Sequence, residues 1–163
     1  MIVPSSTAHP VRLAVPEDAD RLAQLLHDFN VEFATASPGP AVLAPRLHRL
    51  LAAEDTFAVL AGDSIVGFGL VTLRTNVWFD GPVALLDELY VVPPFRNQGI
   101  GSGLIVLMES ICRARGIEQV EINVDEGDHD TRRFYERHGY RCGSSNGERA
   151  LFYERDVTTP ATG

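Results

Sequence analysis

One stretch of the sequence, residues 85–107, constrains the fold of this chain more than any other. It begins with an apolar run, Leu85 to Val92, which ends at two prolines because proline cannot donate a hydrogen bond to a sheet ladder. A glycine-rich segment follows at residues 96–103, and apolar residues then recur at spacings of three and four. The pattern predicts a strand, a glycine-rich loop and a buried helix, in that order.

This order predicts an anion-binding site at the start of the helix. The first helical turn leaves backbone N–H groups without partners, and the helix dipole adds partial positive charge there. Glycines at positions 99, 101 and 103 would let a phosphate or diphosphate approach these groups. The third glycine of a dinucleotide-binding loop is replaced by Leu104, and the lysine of a Walker A loop is missing. The residues alone leave open a nucleotide, another diphosphate, or a plain strand-to-helix turn.

The composition predicts one globular domain over residues 1–163, with loose tails at 1–9 and 157–163. No apolar run has the length of a membrane span, and the two cysteines, Cys112 and Cys142, are expected to be reduced thiols in a cytoplasmic protein. The chain has 14 basic and 22 acidic residues, a net charge of −8. This charge argues against nucleic acid or an anionic membrane surface as a partner and favours a cationic second substrate.

The remaining periodicities predict the element order β-α-α-β-β-β-α-β-α-β-β. Residues 56–61 and 65–75 are expected to form a hairpin across a glycine-containing turn, and residues 75–82 to connect it to the central strand. Two final strands are expected at Tyr140–Cys142 and Ala150–Arg155. The acidic run before the last helix does not match a calcium-binding loop, and we expect it to cap that helix at Asp130.

Two motifs resemble those of the GCN5-related N-acetyltransferases, the GNAT family. Arg96-x-x-Gly99-x-Gly101 is similar to the R/Q-x-x-G-x-G/A loop that binds the diphosphate of acyl-CoA in that family. Residues 134–140, FYERHGY, are similar to the family's F-Y-E-x-x-G-F segment. The resemblance implies an α/β fold with a mixed, mostly antiparallel central sheet of six to seven strands. About four helices would flank this sheet, which would be splayed at the cofactor site.

The resemblance also implies a function and a set of binding residues. The protein would move an acetyl group from acetyl-CoA, a co-substrate, to a primary amine by direct attack in a ternary complex, with no metal. The acceptor would be a small molecule or a peptide amine. The expected cofactor contacts are Leu89, Tyr90 and Val91 on the central strand, Arg96, Asn97, Gln98, Gly99, Ile100, Gly101 and Ser102 at the loop, and Asn123, Asp128 and Arg132 beyond it. Asp128 stands where the family often has asparagine, so Asn123 is expected to supply the missing amide donor.

Three residues are candidate catalytic groups. Tyr135 matches the tyrosine that often acts as general acid in the family, and a phenol with a pKa near 10 keeps its proton at neutral pH. Asp87 is expected to hold the ammonium group and relay its proton. Glu88 is the alternative, because side-chain alternation would put only one of the two on the ligand side. The competing interpretation gives Tyr135 a packing role and makes the carboxylates structural.

Other functions and properties stay open at this point. The first alternative is a non-catalytic acyl-CoA-binding module that regulates a partner, and the second is a nucleotide-binding protein that uses the same loop. A homodimer is possible, because dimers are common in the family. The sequence names no acceptor amine, since the N-terminal helices and residues 75–82, which are expected to select it, match no motif.

Overall fold

The computed structural model describes residues 9–143, 146, 148–149 and 151–158. Residues 1–8 and 159–163, which make up most of the predicted tails, lie outside the described residues, as does Ala150 of the last predicted strand. The chain consists of two compact units, residues 1–123 and 124–163. The organisation of residues 1–163 as one domain stays a prediction.

Within the described residues, nine regular elements form the first unit and the start of the second. In the first unit they are β1 Val11–Leu13, α1 Ala19–Glu32, α2 Pro40–Leu51, β2 Thr56–Ala61, β3 Gly67–Arg74, β4 Val83–Val91, α3 Ile100–Ala114 and β5 Val120–Ile122. In the second unit α4 spans His129–Arg137. Short 3-10 helices at residues 16–18 and 93–95 precede α1 and α3. No helix of the described chain has the length and apolar character needed to cross a membrane.

The strands form one sheet in the order β1-β2-β3-β4-β5. The first four are antiparallel to their neighbours, and β5 runs parallel to β4. This arrangement confirms the predicted α/β fold with a mixed, mostly antiparallel sheet and about four helices. The predicted six to seven strands are wrong for the described residues, which contain a sheet of five.

The missing strands are the two expected at the C-terminus. Neither residues 140–142 nor residues 151–155 form a ladder in the part of the chain that the structure describes. Leu151, Phe152 and Tyr153 are each more than 70% exposed, at 73%, 77% and 85%. A strand gains most of its stability from packing one side-chain face and pairing with a neighbour, and these residues bury no such face.

Helices cover both faces of the sheet and create two apolar layers. Leu22, Leu25, Phe68 and Leu70 belong to the core between the sheet and helices α1 and α2. On the opposite face α3 packs closely, since a Cβ added at Gly67 would lie 3.4 Å from Ile100 Cγ2. The sheet is therefore buried on both sides around β3 and β4.

Two element boundaries differ from the predicted ones for local reasons. β3 begins at Gly67 rather than Ile65, because Ile65 has a φ of 41° and belongs to the turn. The guanidinium of Arg21 donates to the Ile65 carbonyl at 3.1 Å and helps to hold this unusual conformation. The prolines and glycine at residues 37–40 predict a break in the helical pattern, yet α2 already begins at Pro40, because proline is well tolerated in the first turn of a helix.

The β3–β4 connection, residues 75–82, is anchored at its base and exposed at its tip. A Cβ added at Gly81 would lie 2.5 Å from the Gly116 carbonyl oxygen, so the two backbones are in contact at the end of α3. Asn76 donates to the Gly81 carbonyl at 3.0 Å and accepts from two N–H groups of the loop. Val77 and Trp78, at the tip, are 87% and 85% exposed.

Candidate active site

The strand β4, which the sequence predicted as the central strand, carries an irregularity at its two carboxylates. Leu70 of β3 faces Glu88, whereas the next residue, Val71, faces Leu86, so Asp87 is one extra residue in β4. Such a β-bulge interrupts the regular alternation of side chains along a strand. The expectation that only one of the two carboxylates can face the ligand therefore does not apply at this position.

Both carboxylates lie on the face of the sheet that α1 and α2 cover. Asp87 Oδ2 accepts a hydrogen bond from Thr72 Oγ1 at 2.8 Å. Glu88 faces Leu70, which belongs to the core under these helices. Because Leu70 and Thr72 are two positions apart in β3, their side chains point to the same face. The bulge thus brings two adjacent carboxylates together on one side of the sheet.

Burial raises the pKa of both carboxyl groups. For Asp87, the hydrogen bond from Thr72 opposes part of the increase in pKa. For Glu88, the negative charge of Asp87 raises the pKa further. A carboxylate with a raised pKa accepts a proton more readily than an ordinary one, and such shifts are common at functional sites. The pair is suited to holding an ammonium group and accepting its proton.

Beyond the bulge, β4 continues without β5 alongside it. The parallel pairing ends where Ile122 faces Leu86, whereas β4 extends to Val91. Directly after β4, Val92 N–H donates to the carbonyl of Val66, the residue before β3, at 2.9 Å. Antiparallel hydrogen bonding alternates, so the backbone polar groups of Leu89 and Val91 point away from β3, towards the edge that β5 does not cover. β4 thus has an unpaired stretch after Leu86 on this side, and a splayed sheet at the cofactor site stays a prediction.

The segment after β4 leads into α3 through a glycine N-cap. Asn97 has a φ of 59° and Gly99 a φ of 79°, and two left-handed residues so close together turn the chain sharply into α3. Gly99 is the N-cap of α3 and, as a glycine, supplies no side-chain cap hydrogen bond. The N–H groups of the first turn, at Ile100, Gly101 and Ser102, precede the regular ladder that begins with Gly103 N–H donating to the Gly99 carbonyl. Their arrangement fits a diphosphate.

Arg96 lies beside this loop but its guanidinium points to α1. Nη1 and Nη2 donate to the two carboxylate oxygens of Glu32 at 2.7 and 2.9 Å. Nε donates to the Val91 carbonyl at 2.8 Å, and the group stacks over the Tyr90 ring at 5.4 Å. A contact between Arg96 and a diphosphate stays a prediction.

Glu32 is a residue that the sequence did not single out. Its carboxylate also accepts a hydrogen bond from the Tyr90 hydroxyl at 2.9 Å. The hydrogen bonds from Arg96, and to a smaller extent that from Tyr90, lower the pKa of Glu32. One signal could have drawn attention to it: a glutamate at the C-terminal end of a helix is unfavourable against the helix dipole unless a cation offsets it.

The remaining predicted site residues follow β5. Asn123 is exposed directly after this strand. In the second unit, Asp128 rather than Asp130 caps α4, since its side chain accepts a hydrogen bond from Thr131 N–H at 3.1 Å. Arg132 donates to the Glu126 carbonyl at 2.9 Å. The structure thus gives Asp128 and Arg132 local partners, and their contact with a cofactor stays a prediction.

Tyr135 lies in α4 and is buried. Its ring makes edge contacts with those of Phe134 and Tyr140, at centroid distances of 5.3 and 5.7 Å. These contacts hold the ring in a defined orientation within the second unit. Its action as general acid beside the β4 carboxylates stays a prediction.

A concavity of about 310 Å³ lies where β4 begins, at the end of the strand opposite to the glycine loop. Three carboxylates, those of Glu54, Asp55 and Asp80, are among its lining groups. No cluster of three or more histidine, cysteine or carboxylate side chains suited to a metal ion occurs among the described residues.

Comparisons with known proteins agree with this geometry. The model of the acetyltransferase (GNAT) family matches residues 20–140. An aminoalkylphosphonate N-acetyltransferase of Salmonella typhimurium is 29% identical over 136 residues, which cover 80% of this chain and 84% of the relative. A candidate acetyltransferase of Arthrobacter sp. FB24 has a solved structure that is 46% identical, with a TM-score of 0.86 over 95% of this chain and 100% of that chain.

A more distant structure shares the fold. An aminoglycoside N-acetyltransferase solved in complex with CoA is 18% identical, with a TM-score of 0.76 over 94% of this chain and 99% of that chain. The family match includes the bulged strand, the glycine loop and the start of α3. The chain therefore belongs to the acetyltransferase (GNAT) family and is an acyltransferase.

Proposed function

We propose that this protein is an N-acetyltransferase that moves an acetyl group from acetyl-CoA to a primary amine by direct attack in a ternary complex. The observation that carries the proposal is the order of three features along β4 and into α3: two carboxylates at the bulge, a stretch of β4 that β5 does not pair with, and then a helix start with a glycine N-cap. The diphosphate of acetyl-CoA would lie at the start of α3, and its thioester would lie near the two carboxylates.

Each part of the path has a separate role. The first-turn N–H groups of α3 would hold the diphosphate, because they carry partial positive charge and Gly99 puts no side chain in the way. The backbone of Leu89 and the N–H of Val91 would bind the pantetheine arm and the acyl carbonyl, since they point to the edge that β5 does not cover, while Arg96 already holds the Val91 carbonyl. The thioester supplies the activated acyl group.

The carboxylates address the main obstacle to amine attack. An alkylamine with a pKa near 10.4 is neutral in only about one molecule in a few thousand at pH 7, which costs roughly 4–5 kcal/mol. Asp87 and Glu88 would attract the ammonium form, and their raised pKa values improve their ability to take up its proton. Tyr135 would then donate a proton to the leaving thiolate.

The carboxylate pair and the negative net charge of the chain favour an acceptor with more than one cationic group. Asp87 and Glu88 lie together at the bulge, and the chain as a whole has a net charge of −8. The named substrates of similar proteins include an aminoalkylphosphonate, which is anionic at one end, and aminoglycosides, which carry several amines. The carboxylate pair supports the second type of acceptor.

The proposal is tested by following free thiol release from acetyl-CoA with a panel of amines. The panel contains a polyamine, an aminoglycoside, an aminoalkylphosphonate, an amino acid and a lysine peptide. We expect thiol release to depend on the amine and to be fastest with the polycationic acceptors. Asp87→Asn should lower kcat/KM by about 10²–10⁴-fold and leave the Kd of CoA nearly unchanged.

Two other results would decide against the proposal. Tight CoA binding without turnover of any amine would indicate a non-catalytic binding module. Displacement of CoA by ATP at similar concentrations would indicate a nucleotide-binding protein. Acetylation of the aminoalkylphosphonate alone would keep the transferase function and overturn the proposed acceptor class.

A further inference from the structure

The Arg96 guanidinium joins three separate elements at the end of β4. It pairs with Glu32 at the end of α1, donates to the Val91 carbonyl in β4, and belongs to the loop that leads into α3. The side chains of Arg96 and Glu32 are 37% and 28% exposed, so water screens the pair only in part. A two-pronged contact between guanidinium and carboxylate has a fixed geometry that a simple ion pair lacks.

Glu32 controls a second group through the same carboxylate. The Tyr90 hydroxyl donates to it at 2.9 Å, and the Tyr90 ring stacks on Phe29 at a centroid distance of 4.9 Å. Burial, together with the hydrogen bond to Glu32, raises the pKa of Tyr90 to about 12, so the phenol stays a donor throughout the physiological pH range. Glu32 therefore fixes the side chain of Tyr90 directly and the carbonyl of Val91 through Arg96.

We propose that Glu32 is a positioning residue for acetyl transfer, which acts through Arg96 and Tyr90 to fix the backbone of Val91. This inference rests on the proposed function, in which the Val91 backbone binds the acyl carbonyl. The peptide group between Tyr90 and Val91 carries the N–H that would meet the carbonyl oxygen as negative charge develops on it. A donor that is aimed before the reaction stabilises this charge much better than one that has to reorient.

The proposal differs from the role that the loop motif implies for Arg96. If Arg96 mainly contacted the diphosphate, its loss would weaken CoA binding, and the loss of Glu32 would leave CoA binding unchanged or stronger. If Glu32 positions Val91 through Arg96, loss of either residue lowers kcat while CoA, which has no acyl carbonyl, still binds. The change in kcat, compared with the change in the Kd of CoA, therefore shows whether Arg96 positions Val91 or binds the diphosphate.

The test compares Glu32→Ala, Arg96→Ala and the double variant with the wild type. We expect kcat with the best amine of the panel to fall about 10- to 100-fold in each single variant. The Kd of CoA, measured by calorimetry, should stay within about threefold. The double variant should resemble Arg96→Ala within about twofold, because residues that act through one contact are not additive. Glu32→Gln, which keeps an acceptor oxygen for Tyr90, should recover part of kcat.

Amide hydrogen exchange of the protein without cofactor gives a readout that does not depend on turnover. Exchange in a peptide that contains residues 89–92 should be faster in both single variants. The matched control is the double variant Arg74→Ala and Glu121→Ala, which removes a 2.8 Å ion pair between β3 and β5 of the same sheet. It should leave both kcat and exchange at residues 89–92 unchanged.

Unchanged kcat in Glu32→Ala would overturn the proposal. A tenfold weaker CoA affinity in Arg96→Ala, with normal affinity in Glu32→Ala, would assign Arg96 to the diphosphate and also overturn it. Both results require an active wild-type protein. A wild-type protein that turns over no amine would instead refute the proposed function, so the two failures are distinguishable.

Discussion

The folded protein disfavours the ionised form of the Glu88 side chain. Burial and the nearby charge of Asp87 raise its pKa in the folded protein. Because the folded-state pKa is raised, protonated Glu88 contributes to the free energy of unfolding. This contribution is present at low pH and is lost as the pH rises through the folded-state pKa. At neutral pH, therefore, ionised Glu88 destabilises the fold.

We predict that Glu88→Gln is more stable than the wild type at pH 7.5, with Tm higher by a few degrees. The difference should shrink as the pH is lowered from 7.5 to 4, because the raised folded-state pKa favours protonation of Glu88 in the wild type. Thermal denaturation across this pH range measures the effect, and Glu118→Gln, at an exposed loop position, is the control. An equal or lower Tm for Glu88→Gln at pH 7.5 would contradict the assignment of a disfavoured charge.

Single residues also show which parts of the site could be predicted. Asp87 and Glu88 could be identified because carboxylates inside an apolar strand stand out. That both side chains lie on the same face of the sheet could not be predicted, because the bulge depends on how β3 pairs with β4. Glu32 could not be linked to Arg96, since the two are 64 positions apart and no local pattern connects them.

Among the elements, the loop before α3 depends on one left-handed glycine. Gly99 has a φ of 79°, and a Cβ added there would meet no atom within 4 Å. A substitution is therefore disfavoured by the backbone conformation and not by space. Gly103, four positions later, lies in α3, and its added Cβ would make an ordinary contact with Val11 at 3.5 Å.

We predict opposite effects for the two matched substitutions. Gly99→Ala should lower the free energy of unfolding by about 1–2 kcal/mol, because alanine disfavours the left-handed region. Gly103→Ala should raise it by up to about 1 kcal/mol, because alanine favours a helix interior. Urea denaturation measures both, and CoA binding should weaken only in Gly99→Ala. Equal stability of the two variants would mean that the loop relaxes without strain.

The elements were predictable where they bury a periodic face. The stripe of α1 and the strand–loop–helix segment around β4 have such faces, and the structure contains both. The two C-terminal strands were expected from short apolar runs, but the described residues there have exposed side chains and form no ladder. A short apolar run predicts a strand only when a neighbour is available to pair with it.

For the molecule as a whole, the net charge of −8 predicts a salt dependence. An acidic protein attracts a cationic acceptor over distances that salt reduces, because the Debye length is about 10 Å at 0.1 M ionic strength. We predict that KM for a polycationic acceptor rises severalfold between about 0.02 and 0.5 M salt. KM for acetyl-CoA, which is anionic, should not rise in the same series. An acceptor KM that is independent of salt would contradict the cationic class.

The contact between Gly81 and Gly116 has a consequence for how this chain can diverge. At the base of the β3–β4 connection two backbones touch, so any side chain at position 81 would force the strand away from the end of α3. The tip, at Val77 and Trp78, has no such restriction because both side chains are exposed. Natural variants of this protein should therefore tolerate insertions and new residue types at positions 77 and 78 while retaining glycine at position 81.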